Sequence, residues 1–330
     1  MFERHKITLI AALAVIFALS RFSGYVGPYY YQIILFIGIN IILAVSLNLV
    51  NGYTGQFSLG HAGFMSVGAY AAASFTNYLS GPMLGFMKPL GPFLSTSIYF
   101  GIALLAGGLA AGVAGLLVGI PSLRLKGDYL AIVTLGFGEI IKVVIENVDA
   151  LGGARGMSVP VVYTDFFWVY AVGVITIYVV INLVNSTYGR GFLTVRDDEI
   201  AAEAMGINTT KYKVLAFTLA AFFAGIAGGL YAHLTQFITP EGFNFLKSVD
   251  IVTMVILGGM GSTTGVVIAA IVLTILPEWL RWLSERPELP HWLAGLLANR
   301  MIPYSLLLIL LMLTRPQGLL GVAGPKRKGA

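Results

Sequence analysis

Hydrophobic residues in this chain form long uninterrupted runs, unlike the short periodic groups of a soluble protein. A helix that crosses a bilayer needs about 20 mostly apolar residues, with a tolerance of about 17–25. We predict membrane segments over 7–22, 31–50, 57–79, 97–120, 129–148, 166–184, 214–236, 249–276 and 301–314. These runs predict an all-α, polytopic transmembrane helix bundle of about eight to ten spans, formed as a single domain over 1–330.

Two of these runs permit alternative interpretations. Run 7–22 follows Arg4 and Lys6, so it is either an uncleaved signal anchor or a signal peptide with a cleavage site at 18–20. Run 249–276 contains the glycine-rich stretch 257–265. It is either a single crossing or a re-entrant hairpin that enters and leaves on the same face. Interrupted helices of this kind are frequent in transporters.

The composition excludes the soluble classes of protein. Hydrophobic residues make up 57% of the chain and charged residues 11%, with a mean hydropathy of +0.85, whereas soluble domains carry about 25% charged residues. The 40 glycines favour close packing of helices within lipid. Membrane lipid is therefore the first expected partner. The net charge of +5 is explained by basic cytoplasmic loops, so we do not predict nucleic-acid binding.

The distribution of lysine and arginine predicts the orientation. With a cytoplasmic N-terminus, eight basic residues up to Lys247 lie inside and four outside, as the positive-inside rule requires. The C-terminal tail carries Arg315, Lys326, Arg327 and Lys328 and is also expected inside, which favours the hairpin alternative for 249–276.

Polar residues and glycines between two predicted spans form the first candidate for a solute pathway. Non-helical backbone at membrane depth persists only where it is buried in protein or lines a wet cavity, so these residues form either a pathway or a tight packing turn. The candidates are Gly55, Gln56, Ser58, Gly60 and His61, with Gly258, Gly259 and Gly261 of the later glycine-rich stretch.

Three charged residues lie within the predicted span 129–148. Glu139, Lys142 and Glu146 are three, four and seven residues apart, so they share one helix face and each carboxylate can pair with the ammonium. Charged residues in a span normally face the bundle interior or a cavity. We therefore consider Glu139 and Lys142 as pathway candidates, with a structural ion pair as the alternative.

The segment 186–213 is the most polar part of the chain. Residues 196–204 predict a short helix, and Gly206 is placed to end it. Acids at 197–199 suit a helix N-terminus. This cytoplasmic segment either docks a soluble partner or is a solvated loop.

Several kinds of chemistry have no motif in the sequence. Cys is absent, the four histidines are scattered, and no phosphate-binding loop occurs. We predict no metal site, no catalytic residue and no cofactor of the chain itself; any ATP would bind to another chain.

The segments 47–64, 124–137, 151–157, 196–208 and 255–262 together resemble the signatures of branched-chain amino-acid ABC transporter permeases. The resemblance covers about residues 30–320 and is nearer to the LivM-type subunit than to the LivH-type. It implies an ATP-driven importer for leucine, isoleucine or valine in the bacterial inner membrane, working by alternating access. The wider family also serves urea, amides and other amino acids. An ion-coupled carrier or passive channel is the alternative from a different class.

The same resemblance implies partners and a docking site. The partners are a LivH-type permease, two cytoplasmic ATPases of the LivG and LivF types, and a periplasmic binding protein. The family's coupling motif, E-A-A-x-x-x-G, aligns with 200–206, with Ile200 in place of the leading Glu. The implied ATPase-coupling residues are Arg196, Asp197, Asp198, Glu199, Ala201, Ala202, Glu203 and Gly206.

Overall fold

The protein is a bundle of eleven described α-helices in a computed structural model, which describes residues 2–21, 23–87, 91–122, 125, 127–284, 305, 306, 309 and 313. The helices are α1 (Phe2–Ser20), α2 (Pro28–Asn48), α3 (His61–Met87), α4 (Pro92–Ser122), α5 (Asp128–Glu146), α6 (Phe166–Val184), α7 (Thr187–Asp197), α8 (Glu199–Ala204), α9 (Thr209–Thr235), α10 (Phe245–Gly258) and α11 (Thr263–Ser284).

Little of the described chain is strand. Strand β1 (Met157–Ser158) pairs antiparallel with β2 (Phe237–Ile238) beyond the ends of α5 and α9. Short 3-10 turns over 149–155 and 240–243 lie next to these strands, and a π-helical turn over 49–53 extends α2. The predicted all-α bundle is therefore confirmed.

Five of the described helices are long and apolar enough to cross a membrane, judged by length and composition. They are Pro28–Tyr53, Leu94–Ser122, Phe166–Val184, Thr209–Thr235 and Thr263–Ser284. The predicted total of eight to ten also counts α1, α3, α5 and the last run, 301–314. That run lies outside the described residues except for four positions, so the total stays a prediction.

The centre of the bundle is the packing of α3, α4 and α9 through small residues. A Cβ on Gly68 of α3 would overlap the backbone of Gly225 on α9, and one on Gly107 of α4 would meet the carbonyl oxygen of Gly68 at 2.7 Å. Helix backbones approach this closely only where side chains are absent. The glycine excess therefore places three helices in direct backbone contact.

Helices α2 and α11 lie antiparallel and are joined by hydrogen bonds along their length. Tyr53 and Thr263 share a hydrogen bond of 2.8 Å, and the amide of Asn40 donates to Thr274 at 2.9 Å. At the other end, the Arg281 guanidinium donates to the Tyr29 hydroxyl at 2.7 Å. The start of α11 therefore lies beside the end of α2.

Helix α10 has 14 residues and is about 21 Å long, which is short of the roughly 30 Å hydrocarbon core. The chain reaches α10 from β2, turns at 259–262 beside the end of α2, and returns through α11. The 249–276 run thus forms two helices that enter and leave at the same end, as in the hairpin alternative.

The predicted start of the third span is wrong. The hydrophobic run predicted a helix from residue 57, but α3 begins at His61 and the backbone over 55–60 is not helical. Backbone groups of this stretch and of the first turn of α3 instead bond to side chains of other helices. Leu59 N–H donates to Thr134 Oγ1 at 3.1 Å, and Ala62 N–H donates to Ser248 Oγ at 3.1 Å. These partners lie on distant parts of the chain.

Candidate functional site

The predicted single helix over 196–204 is wrong, because two helices meet there. Helix α7 ends at Asp197 and α8 begins at Glu199. Asp198 between them is extended, and its carboxylate accepts hydrogen bonds from Ile200 N–H at 2.9 Å and Ala201 N–H at 3.0 Å. An aspartate in this position is a favourable N-cap, so Asp198 caps a helix that begins later than predicted, and Glu199 lies in its first turn.

The predicted helix end at Gly206 is confirmed. Gly206 has φ +81°, a conformation that glycine adopts readily. Its N–H donates to Glu203 O at 2.9 Å, and Ile207 N–H donates to Ala202 O at 3.0 Å. Such bonds satisfy the last carbonyl groups of a helix.

Helix α8 buries one side and exposes apolar residues on the other. Ala202 is fully buried, whereas Ile200 is 75% and Met205 is 81% exposed. Ala201 is exposed as well. We call α7, α8 and the following turn, residues 187–208, the coupling segment, after the role that the family resemblance implies for it. The sequence did not identify Ile200 and Met205 as surface residues; their only signal was an apolar side chain within a charged stretch.

Charged residues of the coupling segment are held by specific partners. Lys213 Nζ of α9 pairs with Glu199 at 2.6 Å, and both side chains are largely buried. Glu203 accepts a hydrogen bond from the Thr209 hydroxyl at 2.8 Å. These contacts fix α8 against the start of α9, so the segment is a positioned structure instead of a free loop.

The end of α2 lies against the α10–α11 turn. Gly261 N–H donates to Asn48 Oδ1 at 2.9 Å, and Ser58 N–H donates to Asn51 Oδ1 at 3.2 Å. Gly259 and Gly261 have φ of +99° and +82°. We call residues 49–60 the α2–α3 turn and residues 259–262 the α10–α11 turn. The structure therefore brings the two glycine-rich candidate stretches together.

His61 is a buried residue at the start of α3. It is 2% exposed, and its Nε2 lies 3.0 Å from the hydroxyl of Ser46. A Cβ on Gly60 would overlap the carbonyl oxygen of Thr134. Ser58 is also buried. These three candidates occupy a packed junction between α2, α3 and α5, as the packing-turn alternative describes.

Three buried amide side chains at this junction have polar atoms without a hydrogen-bond partner among the described residues. They are Nδ2 of Asn48, Nδ2 of Asn51, and both terminal atoms of Gln56. All three side chains are at most 4% exposed. Leaving such groups unpaired costs about 1–3 kcal/mol each, and native structures keep few of them without a reason. The protein groups described at this junction therefore leave these amides unpaired.

A polar cavity of about 270 Å³ joins the first candidate stretch to the coupling segment. Gly55 and Gln56 line one side, and Arg196 through Glu199 line another. Gly55 and Gln56 therefore lie with the coupling residues, whereas Gly60 and His61 are packed deeper. The remaining lining residues are Thr54, Leu125, Gly127, Leu130, Val195 and Lys213.

Lys142 forms an ion pair, as the structural alternative describes, but with a partner outside α5. Lys142 Nζ pairs at 2.5 Å with Glu241, in the turn before α10, instead of with Glu139 or Glu146. Lys142 therefore holds the turn that precedes the half-length helix α10, a contact that spacing along α5 alone could not indicate.

The candidate Gly258 is the last residue of α10. It packs so closely on α11 that a Cβ would overlap the backbone of Val266.

Neutralising the Lys142–Glu241 ion pair should change stability little. The Glu241 side chain is 72% exposed, so Glu241→Gln should cost less than about 1 kcal/mol. Thermal unfolding in detergent measures the effect, with Glu139→Gln, on the α5 face that carries Lys142, as the control. A much larger loss with Glu241→Gln alone would contradict a solvent-screened pair.

Polar residues at the opposite end of the bundle line a second cavity of about 380 Å³. Thr76 Oγ1 lies 3.0 Å from His233 Nε2, and the Asn77 amide donates to Ser158 O at 2.8 Å. Ser80 and Tyr163 complete the polar lining, and His233 is buried behind Thr76. The sequence did not indicate this cluster, because its members come from α3, α9 and the β1 region and form no local motif.

No group of three or more possible metal ligands lies together among the residues that the structure describes. The site is thus made of backbone turns, amides and paired charges. Such groups can bind a small polar solute or transmit movement.

Comparison with known proteins gives one family match. The family described as branched-chain amino acid transport system / permease component matches residues 29–313. Two relatives, the high-affinity branched-chain amino acid transport system permease proteins LivM of Salmonella typhimurium and Escherichia coli, are each 35% identical over 325 residues, covering 88% of this chain and 69% of the relative. The autoinducer 2 import system permease protein LsrC of Yersinia pseudotuberculosis is 25% identical over 203 residues, covering 58% and 55%.

Proposed function

The chain belongs to the family of permease components of branched-chain amino acid transport systems, and on this premise we propose that it moves leucine, isoleucine or valine into the cell. As an ABC transporter permease it works with ATPase and substrate-binding partners. The observation that carries the proposal is a positioned coupling segment with exposed apolar residues on a polytopic membrane bundle.

The proposed partners are a LivH-type permease, two ATPases of the LivG and LivF types, and a periplasmic binding protein. The ATPases dock on the coupling segment, within the polar stretch 186–213 of the single domain 1–330. Ile200 and Met205 contact them, and Ala202 packs α8 against the bundle. The chain carries no nucleotide site or cofactor of its own, and ATP binds to the partners.

The proposed location is the bacterial inner membrane, with both termini in the cytoplasm. This places the coupling segment and the α10–α11 turn on the cytoplasmic side. The Thr76–His233 cluster then lies toward the periplasm, where a binding protein delivers solute. The excess of basic residues on the coupling side supports this orientation.

The proposed mechanism is alternating access without bond chemistry in this chain. ATP binding closes the partner ATPases, the coupling segment moves with them, and the bundle changes the face to which its solute path opens. Discontinuous helices commonly form the solute site around which transporter bundles rock, which supports a role for α10 and its turn.

Reconstitution in liposomes tests the proposal. We expect ATP-dependent uptake of labelled leucine only when both permeases, the ATPases and the binding protein are all present. A complex with hydrolysis-deficient ATPases is the control and should show no accumulation. Solute movement by this chain alone would contradict the proposal and favour a passive channel or an ion-coupled carrier.

The solute is tested separately on the cognate periplasmic protein. We expect it to bind leucine, isoleucine or valine more tightly than urea, amides or other amino acids, measured by calorimetry. Preference for another solute would replace the branched-chain assignment and leave the transporter class unchanged.

A further inference from the structure

Arg196, in the last turn of α7, touches both glycine-rich turns of the bundle. Its Nη1 lies 3.5 Å from the carbonyl oxygen of Gly52. A Cβ placed on Gly55 would meet Arg196 Cγ at 2.8 Å, and one on Gly261 would meet Nη1 at 3.3 Å. One side chain of the coupling segment thus contacts the α2–α3 turn and the α10–α11 turn together.

We propose that Arg196 is the positioning residue through which movement of the coupling segment reaches the two turns inside the bundle. The proposal rests on the proposed docking of ATPases on that segment, and it adds the route by which docking changes the membrane part. The turns themselves are the elements that move.

The surroundings of Arg196 fit this role. Asp197 holds its guanidinium through bonds of 3.0 and 3.1 Å, so the group is oriented before it meets the turns. Its contacts at Gly52 and Gly55 have no intervening side chains. A planar guanidinium keeps its direction better than a flexible ammonium. Displacement of α7 is therefore passed directly to backbone.

The two turns are also linked to each other. A Cβ on Gly52 would overlap the backbone nitrogen of Gly261, and Gly261 N–H donates at 2.9 Å to Oδ1 of Asn48, the last residue of α2. Gly55, Gly259 and Gly261 all have positive φ, and such positions absorb backbone rotation at low cost. A displacement of Arg196 therefore moves the two turns together.

Unused polar groups at the junction provide partners for a second arrangement. The amide nitrogens of Asn48, Asn51 and Gln56 are buried without a hydrogen-bond partner among the described residues. A switching element needs two discrete packings of similar energy. Backbone carbonyls displaced by the movement can accept from these amides, which offsets the bonds that the present arrangement loses.

Spin labels on single cysteines test the route, since the chain contains no native cysteine. One label replaces Thr194, which is exposed on α7, and another replaces Met260, which is 50% exposed in the α10–α11 turn. In the complete importer, we expect ATP binding to shift the spectra of both labels. With Arg196→Ala, the shift at 194 should remain and the shift at 260 should be lost.

Two further variants make the result specific. Arg155→Ala removes an exposed cation near β1, outside the coupling segment, and should leave both shifts intact. Arg196→Lys keeps the charge and stem without the planar fork, and should restore part of the shift at 260. Arg196→Lys also serves as the test variant if Arg196→Ala does not fold, with reduction at 260 as its expected result.

The outcomes distinguish the role of Arg196 from the ATPase docking on which it rests. A full shift at 260 in folded Arg196→Ala or Arg196→Lys would overturn the role of Arg196 while ATPase docking stands. In the labelled importer that retains Arg196, a shift at 194 without one at 260 would overturn the role of Arg196 as well. Absence of both shifts in the wild-type importer would overturn the docking proposal, and the route would fall with it.

Discussion

Gly228→Ala should prevent stable assembly of the central bundle. A Cβ at Gly228 of α9 would overlap the carbonyl oxygen of Met65 on α3, and backbone cannot move aside as a side chain can. Overpacking a core costs about 1–3 kcal/mol, and sometimes more; we expect a loss of at least about 3 kcal/mol here. The measurement is thermal unfolding and the yield of monodisperse protein in detergent.

Gly112→Ala is the matched control on α4. A Cβ there would meet its nearest neighbour, Cβ of Phe222 on α9, at 3.6 Å, which is ordinary contact. Alanine is the better helix former by up to about 1 kcal/mol, so this variant should be at least as stable as the wild type. Equal stability of Gly228→Ala and Gly112→Ala would show that α3 and α9 do not approach as closely as described.

Ile200→Lys combined with Met205→Lys should abolish coupled transport without unfolding the chain. Both side chains are more than 70% exposed, so the variant leaves the bundle core intact. Central interface residues often contribute 2 kcal/mol or more to binding, so we expect at least about a tenfold loss of ATPase affinity. Co-purification of the ATPases with tagged permease and ATP-driven uptake measure the two consequences.

Ile200→Leu combined with Met205→Leu is the control for the docking variant. It keeps the exposed apolar surface and should retain both ATPase binding and uptake. If the lysine variant bound the ATPases as well as the leucine variant does, the docking surface would have to lie elsewhere. Loss of binding in both variants would indicate that shape, and not apolar character, decides the contact.

Part of the candidate site could be read from the sequence because it is local. Gly206 ends α8 because a residue with positive φ after a short Ala- and Glu-rich run stops a helix. Asp198 was recognised as a residue for a helix start, but its helix was placed too early. A one-residue break leaves no signal in composition, because both flanking stretches have helical propensity.

Other parts could not be read because their partners are distant along the chain. The spacing along α5 offered Lys142 the carboxylates of its own helix as partners, and it pairs with Glu241 instead. The three residues do lie on one helix, as the spacing predicted. Spacing along a helix, however, indicates only the partners that the same helix provides. Likewise, Arg196 was assigned to the coupling segment, while its contact with Gly52 depends on how α7 packs against the end of α2.

The sequence by itself determined the membrane location, the helical class and the family motifs, because these depend on composition and on residues close together in the chain. Tertiary structure decided that Gly55 and Gln56 lie with Arg196, and that the turn at Gly261 bonds to Asn48. It also decided which face of α8 is exposed. The physical reason is the same in each case: hydrophobic runs specify that helices form, whereas close contacts of glycine and amide groups specify which helices meet.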